Sequence, residues 1–267
     1  MSAAPHSLMP LLTQTRWLKR AARACMRRGG APGPDGLTWS HYREELDTRL
    51  DGLAERLADG TWAPVPPRLV SWPGWGKELR VCVPTVEDRI VHRALRQAAE
   101  PVLDRDAYPP WLFGWRPRRG RVEAVAAAAA HLTAGRPWVA DLDVAKVTSG
   151  AQTEEIITAL AVHIYDGAFL AVMRTALNAL PSPLYPGSGL SPMLTNVRLL
   201  GVDRHEALRH LELVRLTDNY TAFTPTPTEA AEAMTALETA LGEQGMRPHP
   251  EKSKVWRPNP EDLYLAG

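Results

Sequence analysis

The spacing of apolar residues divides the chain into short helices and strands. Leu11 to Arg28 follows a helical period, and the GGAPGPDG run after it ends that helix, because glycine and proline do not continue one. Thr38 or Ser40 can cap a helix that carries Leu46, Leu50, Leu53 and Leu57 and closes at Gly60. PPRLVSW and ELRVCVP flank the turn-rich PGWGK and predict a hairpin. Past Pro84, the residues Ile90, Val91, Ala94, Leu95, Ala98 and Val102 mark one face of an amphipathic helix, which Pro101 ends or kinks. The run Ala124 to Ala130, between Glu123 and His131, predicts another helix, since alanine has the best helix propensity.

PWVADLDV predicts a strand, and helices follow over roughly residues 153 to 163 and 167 to 180. A loop with Pro181, Pro183, Pro186, Gly187 and Gly189 leads into a helix from about Ser191. LELVRL and NYTAF are two strand candidates separated by Thr217 and Asp218. Ala230, Met234, Leu237 and Leu241 form the stripe of one more helix, and KSKVW and DLYLA are final short strands. A helix-rich start followed by strands alternating with helices predicts an α+β architecture with an antiparallel sheet.

Composition narrows this picture only a little. The chain has 267 residues, 45% of them hydrophobic, enough for one large domain or two subdomains. Nothing approaches the ~20 apolar residues a membrane span needs, and the start lacks the basic region and apolar core of a signal peptide. A cytoplasmic protein without a membrane partner is expected. Cys25 and Cys82 stand far apart with no metal-ligand spacing and read as reduced packing residues.

The net charge of +1 says little, but its distribution says more. Arg16, Arg20, Arg23 and Arg27 share one helical face in a stretch without acids, and RPRRGR holds Arg116, Arg118, Arg119 and Arg121. Either cluster can grip a phosphate backbone, or simply be solvated.

From Pro66 to Arg119 the chain reads PPRLVSWPGWGKELRVCVPTVEDRIVHRAL, then AEPVLD, then FGWRPRRG. This order resembles the fingers of bacterial group II intron reverse transcriptases, with IPK-x-GK-x-R-x-L-x-IPT-x-x-DRI-x-Q-x-AL, LEP and GFRP-x-R; APGPDG and GTWAPVP match their leader motifs. Further on, VADLDVAKV resembles the first catalytic palm motif, YPGSGLSPMLTNVRL the PQG-x-x-LSP-x-LAN motif, and VRLTDNYTAF the RYADDF motif. EKSKVW resembles the lysine-bearing motif and LYLAG the primer grip. The resemblance covers roughly residues 31 to 267.

The resemblance implies an RNA-directed DNA polymerase with right-hand fingers and palm: a basic N-terminal helix over 1–30, fingers over 31–135 and palm over 136–267. The resemblance ends at the primer-grip motif with no thumb, so processive synthesis is expected only where a second subunit supplies that grip. Template or product would be RNA or an RNA/DNA duplex, and the substrate a dNTP.

Nucleotidyl transfer uses two divalent cations about 4 Å apart, and magnesium prefers carboxylate oxygens. Asp143 at a strand end and Asp218 in a turn suit such a clamp for Mg2+, with Mn2+ as a substitute, although an aspartate in such places is also a common turn or cap residue. Asn219 takes the place of the second acid of the family's pair and would add a neutral donor. Arg80 and Lys77 would hold the triphosphate. Gly187 and Ser188 would lie under the nucleotide, where glycine permits close backbone approach. Lys252 would approach the pyrophosphate as a general acid or be a surface lysine. Ser191 and Asn196 read as a helix cap and a satisfied buried polar residue.

Several positions depart from the family pattern. Val147 and Thr148 stand where an aromatic residue would exclude the ribose 2′-hydroxyl, which opens the choice between dNTP and rNTP. Pro186 replaces a template-facing glutamine, Gly74 a lysine, and His92 a glutamine. His92 reads as a helix-surface or core polar residue. Three functions therefore stand at this stage: a polymerase of weakened activity; a catalytically inactive pseudo-polymerase that binds RNA or a partner protein; and a mobile-element fragment.

Overall fold

A computed structural model describes residues 7–74, 77–259 and 262–263. Its helices in the first part of the chain are α1 (Met9–Leu12), α2 (Thr15–Met26), α3 (Trp39–Glu44) and α4 (Leu46–Ala58), followed by strands β1 (Arg68–Gly74) and β2 (Lys77–Val83) and helix α5 (Val86–Asp106). Next come α6 (Arg121–Thr133), β3 (Trp138–Asp143), α7 (Thr153–Ala161), α8 (Gly167–Asn178), α9 (Ser191–Arg198) and α10 (Leu200–Asp203). The chain closes with β4 (Glu212–Leu216), β5 (Asn219–Thr224), α11 (Pro227–Glu243) and β6 (Lys254–Trp256).

The α+β composition and the antiparallel pairing expected from sequence are both present. Two compact units interleave along the chain: unit 1 is Met1–Asp106 with Thr148–Leu194, and unit 2 is Ala107–Val147 with Thr195–Gly267. The sequence division at residues 135/136 follows motif order and falls inside unit 2.

Unit 1 is mainly helical. Its central helix α5 buries Ile90, Val91, Ala94, Leu95, Ala98 and Leu103, and α2 packs along it with Leu18, Ala21 and Ala22. Each fully buried leucine contributes about 1.5–3 kcal/mol. Pro101 lies within α5, which runs on to Asp106. The helix expected to begin at Leu11 is broken at Gln14, whose backbone is extended, and restarts at Thr15. The helix expected from Thr38 to Gly60 is two helices, because Glu45 leaves helical geometry at φ −124°, ψ 35°. Thr38 does act as a cap, accepting from the N–H of His41. Asp166 accepts the N–H groups of Leu8, Met9 and Phe169, so one carboxylate caps α8 and ties the start of the chain to it.

The β1–β2 hairpin pairs Arg68 with Val83 and Ser71 with Arg80. The loop before α9 is stitched to this hairpin: the N–H of Cys82 donates to the carbonyl of Pro186 at 2.8 Å. Gly187 follows at φ +98°, and a Cβ there would lie 2.2 Å from the Cys82 carbonyl oxygen. Only glycine fits.

Unit 2 is built on a four-stranded antiparallel sheet ordered β4-β5-β3-β6. With helical segments between β3 and β4 and α11 between β5 and β6, this is the β-α-β-β-α-β plan of a split βαβ unit. Residues alternate between its faces. Ala140, Leu142, Leu213, Tyr220 and Ala222 face a core with Val202, Leu237 and Leu241. Val139, Val214 and Phe223 face the other way, against Ala124 and Ala128 of α6. The alanine run is thus a helix, and its small side chains let it lie close to the sheet. KSKVW contributes β6, whereas the DLYLA candidate lies largely outside the described residues, as does most of the primer-grip motif. Among the described residues no helix is long and apolar enough to cross a membrane.

Two buried groups one turn apart on α5 titrate in opposite senses. Asp88 is 3% exposed, and burial pushes its carboxyl from 3.8 up to about 6. His92 is 1% exposed, neither ring nitrogen meets a partner among the described residues, and burial lowers it from 6.5 to about 4. Native Asp88 binds its proton more tightly than the unfolded chain, so its contribution is full below pH about 4 and lost as pH rises through about 6. Native His92 resists protonation, so its contribution is full above pH about 6.5 and lost toward pH about 4. Each spans about 3 kcal/mol. Measured by urea unfolding against the wild type, Asp88→Asn should lose about 2 kcal/mol of relative stability as pH falls from 6 to 4. His92→Gln should gain a similar amount over its window.

Candidate functional site

The candidate site occupies one end of the unit 2 sheet. Asp143, the last residue of β3, pairs across the ladder with Asn219, the first residue of β5. Leu216 pairs with Asn219 on the other side, so Thr217 and Asp218 form a two-residue turn between β4 and β5. The N–H of Val144 donates to the carbonyl of Asp218 at 3.1 Å, which joins the two aspartate-bearing segments by their backbones. Asp143 and Asp218 are therefore brought to the same sheet end. Both are half-buried.

Their side chains have separate local partners. Asp218 Oδ1 accepts from Thr217 Oγ1 at 2.8 Å. Asp143 Oδ2 lies 3.4 Å from Lys252 Nζ, whose side chain is 56% exposed, a geometry worth at most about 1 kcal/mol. The Lys252 expected near this chemistry is thus beside Asp143. Asn219 turns along the sheet: its Oδ1 lies 3.2 Å from Thr221 Oγ1, which also lies 3.3 Å from Asp141 Oδ1. Burial raises the Asp141 carboxyl, opposed by bonds from Asn219 and Thr221 and by the charge of Lys254.

The donor set fits a divalent cation in kind. Two carboxylates from adjoining segments suit magnesium, which takes one or two protein carboxylates and completes its shell with water and phosphate oxygens. The Asn219 amide oxygen is turned to Thr221, whose one hydroxyl proton it shares with Asp141. Among the described residues no three His, Cys, Asp or Glu side chains gather as an all-protein cage.

The other expected contacts are distributed as follows. In unit 1, Arg80 is exposed on β2, two residues from the Cys82 to which the Gly187 loop is bonded. Lys77 opens the same strand, and its side chain lies outside the described residues. Ser188 is buried, with its Oγ accepting from the N–H of Leu190. Ser191, the first residue of α9, donates from its Oγ to the Leu184 carbonyl at 2.8 Å and so ties the preceding loop to the helix start. Thr148 is half-buried in a turn. Val147, in unit 2, packs into the apolar core.

Arg16, Arg20, Arg23 and Arg27 do share one face, and with Lys19, Arg93 and Gln97 they line a groove of about 540 Å³ in unit 1. The second cluster divides. Arg116 donates to the carbonyls of Pro109 and Leu112, and Arg119 to that of Pro110, while Arg118 is exposed at φ +59°. Two of the cluster's four arginines hold their own loop, and Arg121 opens α6.

Sequence reading missed the group beneath the turn. Arg215 is fully buried and pairs with fully buried Asp203 at 2.6 Å. The same guanidinium donates to Asn196 Oδ1 and to the Thr217 carbonyl, and Tyr220 donates to Asp203 at 2.7 Å. Burial pushes the Asp203 carboxyl upward, against the opposing effect of Arg215 and Tyr220. The available signal was the parity of β4: Arg215 shares a face with Leu213 and so points into the core. Asn196, as expected, is a satisfied buried polar residue, since its Nδ2 also donates to the Gly114 carbonyl.

Comparison with known proteins adds a limited relationship. No family model matches the chain. In a match 226 positions long that covers 76% of this chain, it is 29% identical to Protein YkfC of Escherichia coli (strain K12). The match spans 58% of that protein's length.

Breaking a buried ion pair leaves an uncompensated charge, at a cost of about 3–5 kcal/mol. Asp203→Ala should lose that much in urea unfolding, and Asp143→Ala, which breaks only the exposed Lys252 contact, less than about 1 kcal/mol.

Proposed function

We propose that this protein is a reverse transcriptase-like nucleotidyltransferase related to the bacterial group II intron enzymes, with unit 2 in the role of palm. The observation that carries the reading is the convergence of Asp143 and Asp218 at one sheet end. The ordered motifs along the chain support it independently.

Asp143 and Asp218 would hold Mg2+, or Mn2+ in its place, with Asn219 a neutral neighbour. Divalent cations there would sharpen a primer 3′-hydroxyl as nucleophile and neutralise the departing pyrophosphate. Lys252, beside Asp143, would supply positive charge and a proton to the leaving group. Arg80 and Lys77 would bind the triphosphate of a dNTP, and the Gly187–Ser188 loop would lie under the base. Thr148 offers less bulk than an aromatic residue, so discrimination against rNTPs should be weak. The basic groove on α2 would bind RNA or an RNA/DNA duplex through phosphates.

One observation favours a second reading, a catalytically inactive pseudo-polymerase that binds RNA or a partner protein. Asn219 brings no charge, and its amide oxygen is turned to Thr221. Cation binding then rests on two carboxylates.

Primer extension on RNA and DNA templates, with Mg2+ or Mn2+ and with dNTPs or rNTPs, separates these. The expected result is weak extension by the wild type, falling at least about 100-fold in Asp143→Ala and Asp218→Ala, a loss of the size seen when one charge-stabilising group is removed. Asn219→Asp should raise it. No extension by either the wild type or Asn219→Asp would leave the pseudo-polymerase.

A further inference from the structure

Asp218 sits in a turn whose first residue, Thr217, has φ +60°. Two-residue hairpins fill such positions with glycine, asparagine or aspartate, and a β-branched residue there persists only where its surroundings enforce it. Two contacts enforce it here. Arg215 Nη1 donates to the Thr217 carbonyl at 2.7 Å and to Asn196 Oδ1 at 3.0 Å. The backbone of Gly114 presses on the turn from another side: a Cβ on Gly114 would lie 2.0 Å from the Thr217 nitrogen, and Asn196 holds the Gly114 carbonyl at 3.0 Å.

Arg215 is 0% exposed, so it is not placed to meet a phosphate or any other solute. Its Nη2 anchors on Asp203 at 2.6 Å, and Asp203 is also held by Tyr220, the residue paired with Arg215 across the ladder. An ion pair alone would need only the Asp203 contact. The additional bond to the Thr217 carbonyl joins this anchored group to the backbone immediately before Asp218.

We propose that Arg215 is the positioning residue of the cation site: anchored by Asp203 and Asn196, its guanidinium holds the strained Thr217–Asp218 turn in the conformation that presents the Asp218 carboxylate beside the end of β3. This rests on Asp218 being a cation ligand. Arg215→Lys is the informative variant, because an ammonium keeps the charge opposite Asp203 but cannot match a planar fork that reaches three acceptors.

The test uses Mn2+ alone as probe, its free concentration read by electron paramagnetic resonance, with hydrogen exchange of the peptide spanning the turn as a second readout. Arg215→Lys should weaken Mn2+ binding about 10-fold or more, as loss of a group that orients a metal ligand does. Thr217→Gly in the same background should restore affinity to within about threefold, because glycine adopts positive φ without cost. Turn exchange should rise in the first variant and fall back in the second. Unchanged Mn2+ affinity in Arg215→Lys would overturn the proposal, and so would a loss that Thr217→Gly does not rescue. If the wild type shows no Mn2+ binding sensitive to Asp218→Ala, the cation reading fails separately, and turn exchange alone decides whether Arg215 holds the turn. Should Arg215→Lys not fold, Asn196→Ala removes one anchor and keeps the ion pair; unchanged turn exchange there would also overturn the proposal.

Discussion

A guanidinium and a carboxylate with no access to water set the terms for unit 2. Arg215 and Asp203 are both withdrawn from solvent, which is costly for each and offset by directed contacts of both Arg215 terminal nitrogens and both Asp203 oxygens, although Arg215 Nε meets no partner among the described residues. Tyr220 shares the load on Asp203, Asn196 shares that on Arg215, and Asn196 passes the constraint on to Gly114. Contributors come from α9, α10, β4 and β5, so a displaced element leaves a buried charge partly unpaired. Apolar packing alone tolerates sliding by fractions of an ångström, whereas this network is met in one arrangement.

The sheet face bearing Asp141, Asp143, Asn219 and Thr221 has a different character. The same face, further along its strands, is apolar and covered by α6, with Val139, Val214 and Phe223 in the core. Polarity therefore changes along each strand while side-chain parity stays the same. Asp141 lies at the transition, buried enough for its carboxyl to be raised, and it depends on Asn219 and Thr221 for hydrogen bonds. An aspartate at position 219 would set two carboxylates against each other there. The amide at Asn219 thus has a local structural use, whatever its effect on cation binding.

Much of the fold could be read from periodicity. The long helix after Pro84, the strands on either side of Thr217 and the helix through Leu237 form where the pattern placed them, because each buries its apolar face; the hairpin flanking PGWGK forms there too, although Leu69 and Leu79 stay exposed. Breaks were harder. Glu45 and Gln14 interrupt helices with no glycine or proline to mark them. The interleaving of the two units rests on contacts between distant segments, which no local pattern records. At the site, the sequence singled out Asp143, Asp218 and Lys252; Lys252 lies beside Asp143, and the backbone of Asp218 is bonded to Val144, the residue after Asp143. It gave Arg215 no role, since a lone arginine in a strand is usually solvated, and its partner Asp203 lies on another element. It also read RPRRGR as one basic surface, although Arg116 and Arg119 turn to their own carbonyls.

The order of strands in unit 2 also bears on how the chain is made. β3 lies inside the sheet, yet both of its neighbours, β5 and β6, follow it in sequence. Trp138 pairs with Thr224, so at about 5–20 residues per second of synthesis β3 waits on the order of ten seconds for a partner. During that interval Val139, Ala140 and Leu142, fully buried in the finished sheet, belong to a strand with two open edges. The polar carboxylates of Asp141 and Asp143 interrupt that apolar run. Asp143, read as one half of a cation clamp in the folded molecule, and Asp141 thus also stand where gatekeepers against aggregation would in the nascent one.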